Sequence, residues 1–307
     1  FLMGTQSAFF GPSKFGIIPE TVSESNLTRA NAIISMTSNI AIILGTTFAG
    51  LMFLFLNPGG DLTQGYPNWY SGVIFIFIAI LGWICAQRIK SGAEASAPHR
   101  KLEWNPIREL RHLATDKPLL GAVISTGWFF LIGALALASL NVCGKEVLSL
   151  GDGGSRLFFF VAGGIGLGSL LASKLSGDKV EIGIVPVGGI LMTVGFALTA
   201  IVEETLLGYG STLTIAGIGG GMFLVPLVAY IQERSRGEER GKIQGASEFV
   251  TFSFIFMSAL VWDFFVNTNM LALSPEGTLL AIAVLALTGT LGVFFAVPHI
   301  RSEEHTS

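Results

Sequence analysis

The chain has 307 residues, of which 51% are hydrophobic and 39 are glycine, while only 13% are charged. Soluble domains carry about 25% charge, so too little polar surface is present to cover a water-facing core, and disorder, which needs the opposite composition, is excluded. A net charge of −3 gives no sign of a nucleic-acid partner, and two cysteines cannot make a disulfide scaffold. The class that remains is an all-α, polytopic membrane protein.

About 20 mostly apolar residues cross the hydrocarbon core as a helix. Nine such spans are predicted, at approximately 1–20, 32–56, 69–87, 118–142, 157–175, 182–202, 206–232, 247–266 and 278–297. The first opens at Phe1, contains Lys14 and closes at Pro19 and Glu20. Between the third and fourth lies a basic linker, 88–117. Inside it, Asn105 and Pro106 supply a cap and a proline at the first helical position. Ile107, Leu110 and Leu113 share one face and Arg108 and Arg111 another, which predicts an amphipathic helix on the membrane surface. A solvated linker is the simpler alternative. The later spans are rich in glycine, serine and threonine, residues that let membrane helices approach closely. The last seven residues, Arg301–Ser307, resemble a translated sequencing adapter and are set apart from the fold. A start at Phe1 without a flank, together with that tail, reads as a fragment of a longer protein.

The basic residues test this division. With nine spans, alternate connections share a side, and 16 of the 18 Lys and Arg fall on one side, leaving Lys145 and Arg156 on the other. The positive-inside rule makes the first side cytoplasmic, including the linker.

An internal repeat follows. Phe9, Pro12 and a later Arg29 recur as Phe223, Pro226 and Arg240, offset by 214 residues at the prolines and 211 at the arginines. Six spans separate the copies, so both point the same way. Parallel six-helix halves related by an axis along the membrane normal are the architecture of major facilitator transporters. On that scheme the nine spans are helices 4–12 of a 6+6 fold. Residues 1–87 end the N-terminal half, 88–117 join the halves, and 118–300 form the C-terminal half.

Two blocks are specific. Phe9-Phe-Gly-Pro-Ser-Lys-Phe-Gly-Ile-Ile-Pro-Glu20 resembles helix 4 of the bacterial lysophospholipid transporter family. Gly219-Gly-Gly-Met-Phe-Leu-Val-Pro-Leu-Val-Ala-Tyr-Ile-Gln232 resembles its helix 10. The same membrane helices occur in fusions with a phospholipid acyltransferase and an acyl-acyl-carrier-protein synthetase. The resemblance implies movement of lysophospholipid, chiefly lysophosphatidylethanolamine, from the outer to the inner leaflet of the cytoplasmic membrane, with re-acylation by a downstream or separate acyltransferase. One departure stands out. Where the family often has paired asparagines near the start of helix 11, this chain has Gly245-Ala-Ser-Glu248.

Candidate site residues follow from charge inside the spans. Lys14 lies six residues before Glu20, about 9 Å along the helix from its cytoplasmic end. An intramembrane ionisable group usually faces a cavity or a partner, and an ammonium holds a lipid phosphate as a point charge. Snorkelling to the surface is the plain alternative. Glu248 sits at comparable depth, six residues after Lys242. It can pair with Lys14, meet an ethanolamine ammonium, carry a proton, or simply favour a helix N-terminus. Phe9, Phe10 and Phe223 are candidates to flank the lipid chain, although lipid-facing packing is the commoner use of such residues, and Pro12 is counted with the substrate-binding residues. Asn39 and Asn141 either line the cavity or pair between helices. The run Gly217–Gly221 either breaks its helix to expose backbone or packs closely, and close packing is favoured. Nothing points to catalysis, a cofactor or a metal: the four histidines fall in the linker or near the tail, without ligand spacing. Two other functions fit the same composition. One is a proton-coupled exporter of small amphiphiles, with Glu248 as its acid. The other is the membrane part of a fused acyltransferase.

Overall fold

The structure is a computed structural model. It describes residues 10, 14, 17–23, 26–27, 29–31, 33–34, 37–38, 41, 45, 69–88, 111, 113–150, 154–177, 180–235 and 240–304. After a single helical turn, α1 (Ile18–Thr21), come α2 (Trp69–Ala86), α3 (Lys117–Val142), α4 (Ser155–Ser176), α5 (Ile184–Thr199), α6 (Leu206–Arg234), α7 (Arg240–Val266) and α8 (Pro275–Glu304). Among the described residues all regular secondary structure is helical, and α3 runs on into a π turn, Cys143–Val147. Five of these helices are long and apolar enough to cross a membrane, and the apolar parts of α2 and α5 are shorter. The predicted spans from 69 onward each meet one of these helices. Those at 1–20 and 32–56 fall largely outside the described residues, as do the first copy of the repeat and most of the 88–117 linker with its amphipathic helix.

Local chemistry fixes the helix starts. Asp116 caps α3, its Oδ1 accepting from the Leu119 N–H at 3.1 Å, with Pro118 in the first turn. Thr205 caps α6 by accepting from Gly208 N–H at 3.0 Å. Pro275 opens α8, where its missing N–H costs nothing, and the Ser274 hydroxyl accepts from Gly277 N–H at 3.1 Å. Each cap satisfies an N–H that has no partner inside its helix. At its far end α8 continues past the predicted 297 to Glu304, through Arg301, Glu303 and Glu304, all good helix formers.

Helices α3 to α8 pack as one group. α6 lies between α4 and α5 and also touches α3, while α3 meets α7 and α8, and α8 meets α5. Glycine sets the spacing. A Cβ on Gly164 would run into the Thr214 carbonyl, and one on Gly168 into the Ile218 carbonyl. From the other side, Gly217 and Gly221 face the Val161 and Ile165 carbonyls in the same way. Each helix therefore offers a two-glycine column, i and i+4, to the other's backbone. The α6 helix is continuous through Gly217–Gly221 and Pro226. Close packing, and not a break, is what the glycine run provides.

Polar side chains clip the group where glycine does not. Trp128 Nε1 donates to the Leu285 carbonyl at 2.8 Å, and the Ser139 and Thr278 hydroxyls lie 2.6 Å apart, both joining α3 to α8. Thr199 donates to Thr212 at 2.9 Å between α5 and α6. At the end of α6, Arg234 Nε donates to Asp116 Oδ2 at 2.9 Å, so one aspartate both caps α3 and anchors α6. Helix α2 differs from the others. Val73, Phe75, Ile76, Phe77 and Trp83 are all more than half exposed among the described residues. A helix apolar on every face needs an apolar environment around it, which a bilayer supplies.

Candidate functional site

A cavity of about 320 Å³ opens between Lys14, Asn31, Ile34 and Ser38 on one side and helices α3, α4, α6 and α7 on the other. Three elements supply it with periodic side chains. Thr126, Phe129 and Phe130 come from one face of α3. Leu224, Val225, Val228 and Ile231 come from α6. Gln244, Ser247, Glu248 and Thr251 come from α7. The last four fall at i, i+3, i+4 and i+7, a single helical stripe. The walls are thus apolar on the α3 and α6 sides and polar on the α7 side.

Both ionisable residues singled out from the sequence line this cavity. Lys14 is half-buried and donates from Nζ to the Ser38 hydroxyl at 2.9 Å. Each of Lys14 and Glu248 lies within the other's electrostatic reach. Opposite charges in apolar surroundings attract far more strongly than in water.

The other sequence candidates are placed elsewhere. Phe223 is 1% exposed and stacks on Phe129 with ring centroids 6.1 Å apart. It therefore backs a lining residue and is not itself in the lining. Phe10 is 57% exposed and is not part of the lining either. Asn141 is exposed at the opposite end of α3, donating to the Leu137 carbonyl and accepting from Gly154 N–H at 3.4 Å. Its work there is local, holding the chain that enters α4. Phe9, Pro12 and Asn39 lie outside the described residues.

Two features escaped the sequence reading. The first is a reciprocal amide pair. Asn31 Nδ2 donates to Gln232 Oε1 at 2.7 Å, and Gln232 Nε2 donates to Asn31 Oδ1 at 3.1 Å. Both side chains are buried, at 3% and 1% exposure, and Asn31 lines the cavity. Only the position of Gln232 at the end of the repeated block hinted at it. The second is the α7 stripe, which the 3.6-residue period could have revealed around Glu248. Among the described residues no group of three metal-ligating side chains gathers.

A family model described as the Major Facilitator Superfamily matches residues 1–259. The chain belongs to the major facilitator superfamily. Among curated proteins it is 26% identical over 242 residues to the lysophospholipid transporter LplT of Enterobacter sp. (strain 638). It is 26% identical over 244 residues to the protein of that name from Photorhabdus laumondii, and 26% over 246 residues to that from Escherichia coli O1:K1 / APEC. Each match covers 76% of this chain and 57% of the relative, so the chain spans little more than half the length of the proteins it resembles. Membership agrees with the helical architecture and with the apolar helices, and makes this a multi-pass membrane protein.

Proposed function

We propose that the chain forms part of a transporter that carries lysophospholipid, lysophosphatidylethanolamine above all, from the outer to the inner leaflet of a bacterial cytoplasmic membrane, where it is re-acylated. The observation that carries this reading is the meeting of Lys14 and Glu248 in one cavity. Support also comes from the relatives, whose names describe lysophospholipid transport. At about 320 Å³ the cavity is at the small end of ligand pockets, roughly 300–1,000 Å³. It suits a head group, with the acyl chain left toward the bilayer. On this reading residues 118–300 form one six-helix half and 1–87 the end of the other. The basic linker 88–117 joins them on the cytoplasmic side. The two halves rock about the cavity to expose it to each leaflet in turn. No residue is assigned a catalytic role, and an acyltransferase acts on the delivered lipid.

The test is uptake of labelled lysophosphatidylethanolamine into spheroplasts that make the protein containing this chain. Accumulation above control cells, followed by conversion to the diacyl lipid, is the expected result. No accumulation overturns the reading. An uncoupler separates the roles open to Glu248. Uptake that survives it leaves Glu248 to binding. Uptake that collapses makes Glu248 a proton carrier and favours the proton-coupled exporter.

A further inference from the structure

The α7 stripe brings Gln244, Ser247, Glu248 and Thr251 to the cavity, while the rest of that helix turns Phe249, Phe252, Phe256 and Leu260 outward. Two properties of the stripe look to a ligand. First, Gln244 is 5% exposed, and its Nε2 donor has no partner among the described residues. A buried N–H left unmade is costly, so a donor unfilled beside a cavity is a place for an external acceptor. Second, among the described lining residues Lys14 supplies one positive charge and Glu248 one negative charge. These two charges balance.

We infer that this face of α7 reads the head group, and that it selects zwitterionic lysophospholipids, bearing a phosphate and a primary ammonium, over net-anionic ones. This rests on the lysophospholipid reading above. A zwitterion exchanges partners with the pair. Its phosphate takes Lys14 and the Gln244 amide donor, its ammonium takes Glu248, and no charge is left uncompensated. A glycerol head group also engages Lys14 but offers Glu248 no cation. The carboxylate is then left without a cation in a cavity whose other walls carry Phe129, Phe130 and Leu224, and it shares that space with the phosphate. Removing the partner of a buried charge is strongly unfavourable, and a like-charge approach discriminates against the wrong ligand. Glu248 is therefore the specificity residue, and Gln244 an affinity residue shared by both lipids.

Uptake of labelled lysophosphatidylethanolamine and lysophosphatidylglycerol is compared in spheroplasts making wild type, Glu248→Gln, Glu248→Asp or Gln244→Leu protein. The ratio of the two lipids within one variant does not depend on how much protein reaches the membrane. Wild type is expected to prefer the ethanolamine lipid about tenfold or more, the scale of one buried charge pair. Glu248→Gln brings the ratio near unity, and Glu248→Asp keeps it. Gln244→Leu lowers uptake of both lipids about tenfold with the ratio unchanged, as a lost hydrogen bond to a charged group implies. Excess water-soluble glycerophosphoethanolamine leaves lipid uptake intact. Equal uptake of the two lipids by wild type, or a ratio unmoved by Glu248→Gln, overturns the inference while leaving lysophospholipid transport standing. Block by equimolar glycerophosphoethanolamine overturns it in favour of the free head group. If Glu248→Gln does not reach the membrane, the wild-type ratio and Glu248→Asp decide. No uptake of either lipid by wild type overturns the transport reading and this one together.

Discussion

Along α6, two surfaces a few residues apart obey opposite rules. From Gly217 to Gly221 the helix meets α4 and α5 backbone to backbone, and function of the position lies in having no side chain. From Leu224 to Ile231 the same helix presents Leu224, Val225, Val228 and Ile231 to the cavity. In the glycine seam, size decides everything and polarity nothing, because no space exists for a single methyl. At the cavity, size is tolerated and charge decides, because the walls already enclose empty volume. The same helix therefore holds the fold rigid at one level and presents a site at the next.

The largest effect that sharpens this contrast is expected in the seam. Gly168→Val pushes a branched side chain into the Ile218 carbonyl, and Gly221→Val does the same at Ile165. Backbone cannot step aside as a side-chain tip can. Overpacking of this kind is expected to cost about 3 kcal/mol or more, read as loss of monodisperse protein after detergent extraction. Gly163→Ala is the control, since nothing lies within 4 Å of a Cβ there. It should leave extraction unchanged. Equal damage at Gly163 and Gly168 would show that the seam is not what holds α4 to α6.

Next in size is the amide pair that closes the cavity end of α6. Asn31→Leu leaves Gln232 buried without its partner, which is expected to cost about 1–3 kcal/mol. Replacing both by Leu should recover most of that, because two apolar groups leave nothing unsatisfied. Thermal unfolding of the detergent-solubilised protein checks it. A double variant as weak as the sum of the singles would mean that each amide works alone.

Lys14→Ala tests the cavity side of the comparison directly. The side chain is half-buried, donates to the Ser38 hydroxyl and shares the cavity with Glu248, so its loss leaves a carboxylate without that cation and the thermal midpoint is expected to fall as well. Uptake of lysophosphatidylethanolamine should fall about tenfold, the worth of one charge-assisted hydrogen bond. Unchanged uptake would return Lys14 to snorkelling toward the membrane surface.

What the sequence made legible follows from the kind of signal involved. Hydropathy located the helices from 69 onward, because an apolar run of span length has few other uses. Lys14 and Glu248 stood out for the same reason, as charges where charge is expensive. Gln244, Ser247 and Thr251 did not, since uncharged polar residues are common in membrane helices and serve packing as often as binding. The Asn31–Gln232 pair joins residues 201 apart, a contact that no local period encodes. Asn141 illustrates the converse. Its amide looked available for a cavity, but it sits at a helix end where chain geometry claims it for Gly154.

Phe223 gives the smallest effect and the finest cut between the two rules. It belongs to the α6 turn just after the glycine run, and its ring is buried against Phe129, whose own ring lines the cavity. If Phe223 acts only through that stack, Phe223→Leu removes an aromatic contact and a little volume. The expected loss is then about 1 kcal/mol of stability, with uptake within roughly twofold of wild type, since a loosened Phe129 still covers the same wall. A fall in uptake much larger than the fall in stability would mean that the ring at 223 meets the lipid chain. The boundary between the packed seam and the substrate path would then lie one helical turn deeper, at Gly219–Gly220.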